Sequence, residues 1–167
     1  MTSTSEIKKL EQGRAEFAYK CAYEGKEIIN GKEIDNVYYH DDKYKSYVQK
    51  IPTMILTNGL GQTLAFIKAK MKLNPAKNKE ETEKKDDRNR KKPKKPQNAY
   101  GLIYKHITNY ITSNSTARIR MPSNRDDLTE WVISCDSTNY RYITQELLAF
   151  LNWLKRFAEG MIEGEGK

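Results

Sequence analysis

The sequence predicts an all-α, single-domain helical bundle of five or six helices with a charged insertion. Apolar residues recur at three- and four-residue spacing in segment after segment. The local hairpin signal Asn30-Gly31 is flanked by poor strand alternation. The long stretch without any period, Lys77 to Lys95, also lacks any apolar side chain. At 167 residues the chain is long enough to bury one real core, so 1–167 is read as one domain.

The first helix is marked by Ser3 and Glu6 at capping-box spacing, then by Leu10, Arg14, Phe17 and Cys21, and is expected to end near Tyr23. Gly25 to Asp41 is expected to be loop with at most a small hairpin. From Asp41 or Asp42 as N-cap the helical period resumes at Tyr44, Tyr47, Val48, Ile51 and Ile55. Pro52 would break a helix interior or open a new first turn. If the helix instead runs on through it with a kink, the first apolar stripe continues through Gly59, Gln62, Phe66 and Leu73. A second stripe then appears at Leu56, Leu60, Leu64, Ile67 and Met71, and a helix apolar on two sides belongs in the middle of a bundle.

Asn74-Pro75 ends that helix. Lys77 to Lys95 then carries ten Lys or Arg against five Asp or Glu, so 75–97 is read as a charged linker or insertion. Asn98 caps a helix marked by Tyr100, Tyr104, Ile107 and Ile111. Another short helix is expected from Ser123 or Asn124 through Leu128, Trp131, Val132 and Cys135. Asp136-Ser137-Thr138 is both a break and a cap. The strongest helix follows, with Ile143, Leu147, Leu151, Leu154, Ala158 and Met161 in register, and Gly160 and Gly164 mark its end.

The run TNGLGQTLAFIKAK, Thr57 to Lys70, places Gly59 and Gly61 directly ahead of a clean apolar period. A P-loop needs a lysine and then a hydroxyl after its last glycine, whereas Gly61 is followed by Gln62-Thr63. A dinucleotide fingerprint needs a preceding strand and a third glycine. Both glycines lie in phase with the flanking stripes, which predicts close packing at a thin point of the helix.

The formal net charge is +8, with a sequence pI near 9.3 and a mean hydropathy of −0.87. That balance points to an anionic partner, nucleic acid before membrane. On the continuous-helix projection Lys43, Lys50, Lys68 and Lys72 fall within roughly 60° of one another, with Thr57 and Gly61 between them. Such a stripe is either a solvated helix face or a track for a phosphate backbone. Cys21 and Cys135 are far apart with no CxxC, which predicts buried reduced thiols in a cytoplasmic protein. No apolar run approaches the ~18 residues of a membrane span. His40 and His106 share no ligand spacing with each other or with cysteine, and His106 is expected to be packed or exposed. No metal, cofactor or catalytic residue is predicted, and the chain is not expected to be an enzyme.

Four segments resemble one family in order along the chain: EQGRAEFAY, KYKSYVQKIPTMILTNGLGQTLAFIKAK, YGLIYKHITNYI and YRYITQELLAFLNWLKRFAEGMIEGE. They are similar to the small helical subunit of the Cmr-type (type III-B) CRISPR RNA-guided effector complex. The resemblance covers roughly two-thirds of the chain and departs from it between Asn74 and Asn98. It implies a non-catalytic bundle that stacks with copies of itself into an inner filament. The filament lies beside the backbone subunits carrying guide RNA and, with the large subunit, lines the groove for target RNA. In such systems base pairing reads sequence while protein holds shape and backbone. On this resemblance Lys43, Lys50, Lys68 and Lys72 are expected to face RNA, with Arg14, Arg141, Lys155 and Arg156 as secondary candidates. The competing expectation is a stand-alone basic helical protein that binds DNA or RNA, for instance through a helix-turn-helix. The last helix is too apolar, and the lysine-bearing helix too central, to serve as its groove-reading element.

Overall fold

The computed structural model describes residues 2–29, 33–34, 37–38, 43–72, 98–113 and 119–163. Within them the chain is an all-α bundle of six helices: α1 (Thr2–Ile29), α2 (Tyr44–Asn58), α3 (Leu60–Lys72), α4 (Ala99–Ser113), α5 (Leu128–Ser134) and α6 (Ser137–Met161). A two-residue antiparallel pair, β1 (Glu33–Ile34) and β2 (Val37–Tyr38), lies between α1 and α2, with Glu33 opposite Tyr38 and Ile34 opposite Val37. The expected turn signal Asn30-Gly31 lies outside the described residues.

The two long helices α1 and α6 lie against each other, α6 also packs on α2, and α3 packs on α4. Phe150, Leu147, Leu151 and Leu154 of α6 are fully buried with Ala18 and Ala22 of α1, Val48 of α2 and Ile103 of α4. Small residues on α1 let its backbone approach α6 closely, while α6 supplies the bulk. The Tyr110 ring stacks on Phe150 with centroids 4.3 Å apart, and Phe17 meets both rings edge-on.

Helix α1 already begins at Thr2, ahead of Ser3, and runs six residues beyond the expected end at Tyr23. Its apolar phase persists through Gly25 and Ile28, both buried. Gly25 is required there by crowding: a Cβ on it would lie 2.2 Å from the ring of Tyr44. In α2 the cap position is Lys43, with no side-chain cap bond, so neither Asp41 nor Asp42 is the N-cap.

Pro52 is buried inside α2, and the helix continues through it. The break comes at Gly59, whose φ of 87° favours glycine strongly. This overturns the expected continuous helix. Leu60, Leu64 and Ile67 are the buried apolar residues of α3, whereas Leu56, their predicted stripe-mate on α2, is 75 % exposed. Gln62 and Phe66, in phase with the α2 core, are exposed on α3. One left-handed residue resets the helical phase. Gly61 is not a tight-packing point either, since its added Cβ would meet Ile133 and Tyr140 at an ordinary 3.5 Å.

Asn98 caps α4 as expected, its Oδ1 accepting from the Gly101 N–H at 2.8 Å. Its Nδ2 also donates to the Lys70 carbonyl at 3.3 Å, which ties the end of α3 to the start of α4. The charged segment 75–97, which joins them, lies outside the described residues. Helix α5 is shorter than expected, beginning at Leu128 with Asp127 as N-cap. Asp136 caps α6 through the Asn139 N–H at 2.7 Å.

Candidate nucleic-acid interface

The basic residues singled out from the sequence fall into three environments. Arg14 is internal. Its guanidinium forks onto Glu146, Nε donating to Oε1 at 3.2 Å and a terminal nitrogen to Oε2 at 2.8 Å. A further nitrogen donates to Glu11 at 2.8 Å, and Glu11 in turn accepts from the Trp153 indole at 3.0 Å. The Tyr110 hydroxyl donates to Glu146 at 2.6 Å. Burial disfavours the charge on Arg14, but hydrogen bonds to Glu146 and Tyr110 outweigh it and hold its pKa above the ordinary value. Burial, then the Glu146 carboxylate, pushes the Tyr110 phenol up. This network joins α1, α4 and α6 and keeps two opposite charges neutralised inside the bundle.

Lys68 is paired. Its ammonium contacts the carboxylate of Asp127, which also accepts from the Tyr104 hydroxyl at 2.8 Å and the Thr129 N–H at 3.0 Å. Burial would raise the Asp127 pKa, but Lys68, Tyr104 and Thr129 together hold it below the usual value. Burial of Tyr104 is the main reason its own pKa is pushed up to about 12. Lys68 thus fastens α3 to the start of α5.

The third group stands on open helix faces. Lys50 is exposed and lines a groove of about 410 Å³ on α2 with Gln49, Thr53, Met54, Thr57 and Asn58. Lys43 is exposed at the start of the same helix. On α6, Arg141 and Arg156 are exposed and Lys155 is half-buried. The two arginines are fifteen positions apart, roughly 22 Å along the axis at the α-helical rise. With exposed Gln145 and Asn152 between them, they form a polar, cationic face. The side chain of Lys72 lies outside the described residues. Because α2 and α3 are separate helices, the four stripe lysines do not share one continuous face.

The ionisable groups of the interior are occupied with one another. His106 is buried, its Nδ1 2.9 Å from the Tyr44 hydroxyl and its Nε2 3.0 Å from Glu24. A carboxylate can only accept, so Nε2 carries the proton and Nδ1 accepts from Tyr44. Burial lowers the His106 pKa against the opposing pull of Glu24, which keeps the ring neutral. Burial raises the Cys21 thiol, as does the nearby Glu24 charge, so Cys21 is not a ready nucleophile. Cys135 is half-buried at the end of α5, and both thiols are free. No cluster of three or more metal-ligating side chains occurs among the described residues, and no helix there is long and apolar enough to cross a membrane.

Sequence reasoning missed Glu146 as the partner of Arg14. A signal was present, since Glu146 falls beside Leu147 and within the spacing of Ile143 and Phe150, in the buried phase of α6.

The chain is thus an all-α bundle with a buried charge pair tying its helices together and further cations on open faces. Residues 10–161 match the model of a family described as CRISPR-associated protein (Cas_Cmr5). The chain belongs to this family and is a Cmr-type CRISPR subunit. Its fold is similar to the crystal structure of a CRISPR-associated Cmr5 family protein from Thermus thermophilus. The TM-score is 0.57 at 19% sequence identity, covering 92% of this chain and 98% of that one.

Proposed function

We propose that the chain is a non-catalytic structural subunit of a type III-B CRISPR effector ribonucleoprotein. It stacks with copies of itself into the inner filament, beside the backbone and large subunits, and helps to hold target RNA against the guide RNA for antiviral defence in the cytoplasm. The observation that carries this reading is the separation of the basic residues into carboxylate-paired ones, Arg14 and Lys68, and ones exposed on open faces. Arg14 has a carboxylate partner inside the bundle and Lys68 a partly exposed one in Asp127, so both leave the RNA-facing set. Lys50 on α2 and Arg141 and Arg156 on α6 are exposed where a phosphate backbone could reach them, as is Lys43 just ahead of α2, while Lys155 is half-buried and the side chain of Lys72 lies outside the described residues. A protein that leaves sequence reading to a guide needs such neutralising faces and few base-specific contacts.

The stacking role is supported by a second surface. Tyr19 and Tyr23 of α1 are 51 % and 52 % exposed, and Phe157 of α6 meets Tyr19 edge-on with centroids 5.6 Å apart. Aromatic side chains of this kind are the common anchors of protein interfaces. The non-catalytic assignment is supported by His106, whose two ring nitrogens are engaged, and by the raised Cys21 thiol.

The test is target-RNA binding by the assembled effector across a salt series. Alanine at Lys43, Lys50, Arg141 and Arg156 together should flatten the dependence of log affinity on log salt, by about 0.7–0.9 for each phosphate that the variant no longer neutralises. Lys68→Ala should leave that slope unchanged. A fourfold variant with wild-type slope and affinity would remove the RNA-holding role.

A further inference from the structure

A second groove, of about 640 Å³, opens between α1, the first turns of α6 and the segment at Ile119. Its volume falls within the range of about 300–1,000 Å³ typical of small-ligand sites. Among the described residues it is lined by Arg14, Ile119, Asn139, Tyr142, Gln145 and Glu146. Arg14 and Glu146 form the deep part, 9% and 3% exposed and bound to each other through two hydrogen bonds. Their charges cancel, so the deep part is polar but neutral. Asn139, Tyr142 and Gln145 are exposed side chains of α6, and the Tyr142 ring is 57 % exposed although the groove would shelter a ligand lying against it.

We propose that this groove receives an unpaired nucleobase of RNA, stacked on Tyr142 and edged by the carboxamides of Asn139 and Gln145. The inference rests on the RNA-holding reading above and names a base contact where that reading names only the backbone. Several features favour a base over a phosphate or a charged peptide group. Among the described lining residues the opposite charges of Arg14 and Glu146 cancel, whereas an anion site would carry a net positive charge. The Gln145 carboxamide offers donors and an acceptor, as does that of Asn139 beyond the one donor directed at Asp136 at 3.5 Å, so any base edge finds complements without sequence selection. Stacking on an aromatic ring is likewise tolerant of base identity. Arg141, adjacent to Tyr142 in the sequence and exposed, supplies a cation for the phosphate outside the groove.

The experiment uses the assembled effector complex and a guide-complementary target RNA carrying 4-thiouridine. Photocrosslinks to this subunit are mapped by mass spectrometry, and target affinity is measured for Tyr142→Ala, Tyr142→Phe and Gln145→Ala. The proposal expects a crosslink at or beside Tyr142. It expects Tyr142→Ala to lose roughly fivefold or more in affinity, given what stacking of one base contributes, while Tyr142→Phe retains it. Gln145→Ala, a change at an exposed position, should lose several-fold without affecting assembly. Crosslinks confined to the Lys50 groove, with the Tyr142 and Gln145 variants at wild-type affinity, would overturn the base site and leave the RNA-holding reading standing. No crosslink anywhere on this subunit would overturn both. If Tyr142→Ala instead prevents the subunit from entering the complex while Gln145→Ala binds target normally, the groove is a protein contact and the proposal fails.

Discussion

Gly25→Ala is expected to destabilise the protein although it replaces the poorest ordinary helix former with the best one. In an open helix the change would gain about 1 kcal/mol. At Gly25 the new methyl would sit 2.2, 2.3 and 2.7 Å from three atoms of the Tyr44 ring, well inside van der Waals contact. Tyr44 is fully buried and its hydroxyl is 2.9 Å from His106, so its ring has no open space to move into. Overpacking of this kind costs about 1–3 kcal/mol. Pulling the hydroxyl off His106 would leave buried polar groups unsatisfied, at about another 1–3 kcal/mol. The net loss is centred on about 3 kcal/mol, which for a chain of this size lowers Tm by about 6–12 °C. Thermal unfolding by circular dichroism reads it. Gly160→Ala is the matched control: nothing lies within 4 Å of its added Cβ, so it should be neutral or stabilising by up to about 1 kcal/mol. A Gly25→Ala protein as stable as the wild type would refute the close packing of α1 on α2.

Glu146→Ala should destabilise by about 3–5 kcal/mol in denaturant titration, because it removes the buried partner of the Arg14 guanidinium and leaves only the half-exposed Glu11. Arg14→Met with Glu146→Leu should recover part of that loss, and adding Tyr110→Phe more, since the phenol would otherwise lack its acceptor. The buried His106 makes stability fall on the acid side of neutrality. Below its ordinary value of 6.5 the unfolded chain takes up a proton that the folded ring resists. Stability is therefore fully present above pH 6.5 and is lost as pH falls through 6.5 toward the lower folded value, by up to about 1.4 kcal/mol per pH unit. Denaturant titrations between pH 7.5 and 5 should show this slope, and His106→Gln should flatten it. The isolated chain should bind RNA weakly and lose that binding steeply with salt in a fluorescence anisotropy titration. Tight, site-specific binding by the chain alone would favour a stand-alone binder.

Much of the bundle was legible because its period is local. Helix α6 repeats its apolar residues without interruption from Ile143 to Ala158, and Asp136 announces its start. The α2–α3 junction was not legible, because Gly59 falls in phase with both flanking stripes. A left-handed residue leaves no mark on a projection that assumes an unbroken helix. Gly25 reads as a helix end in isolation, and only its contact with Tyr44, far along the chain, explains why the helix continues through a glycine. The candidate interface was hidden for the same reason. Arg14, in phase with Leu10, Phe17 and Cys21, and Lys68 show no partner until the fold brings in Glu146, 132 positions away, and Asp127, 59 positions away. Lys50, Arg141 and Arg156 are exposed.

Affinity purification of the tagged chain from its native host, with mass spectrometry of its partners and sequencing of bound RNA, tests the central claim most directly. The account predicts recovery of the backbone and large subunits of a Cmr effector together with short guide RNAs. Recovery of the chain alone, or with bulk nucleic acid and no effector subunits, would contradict it.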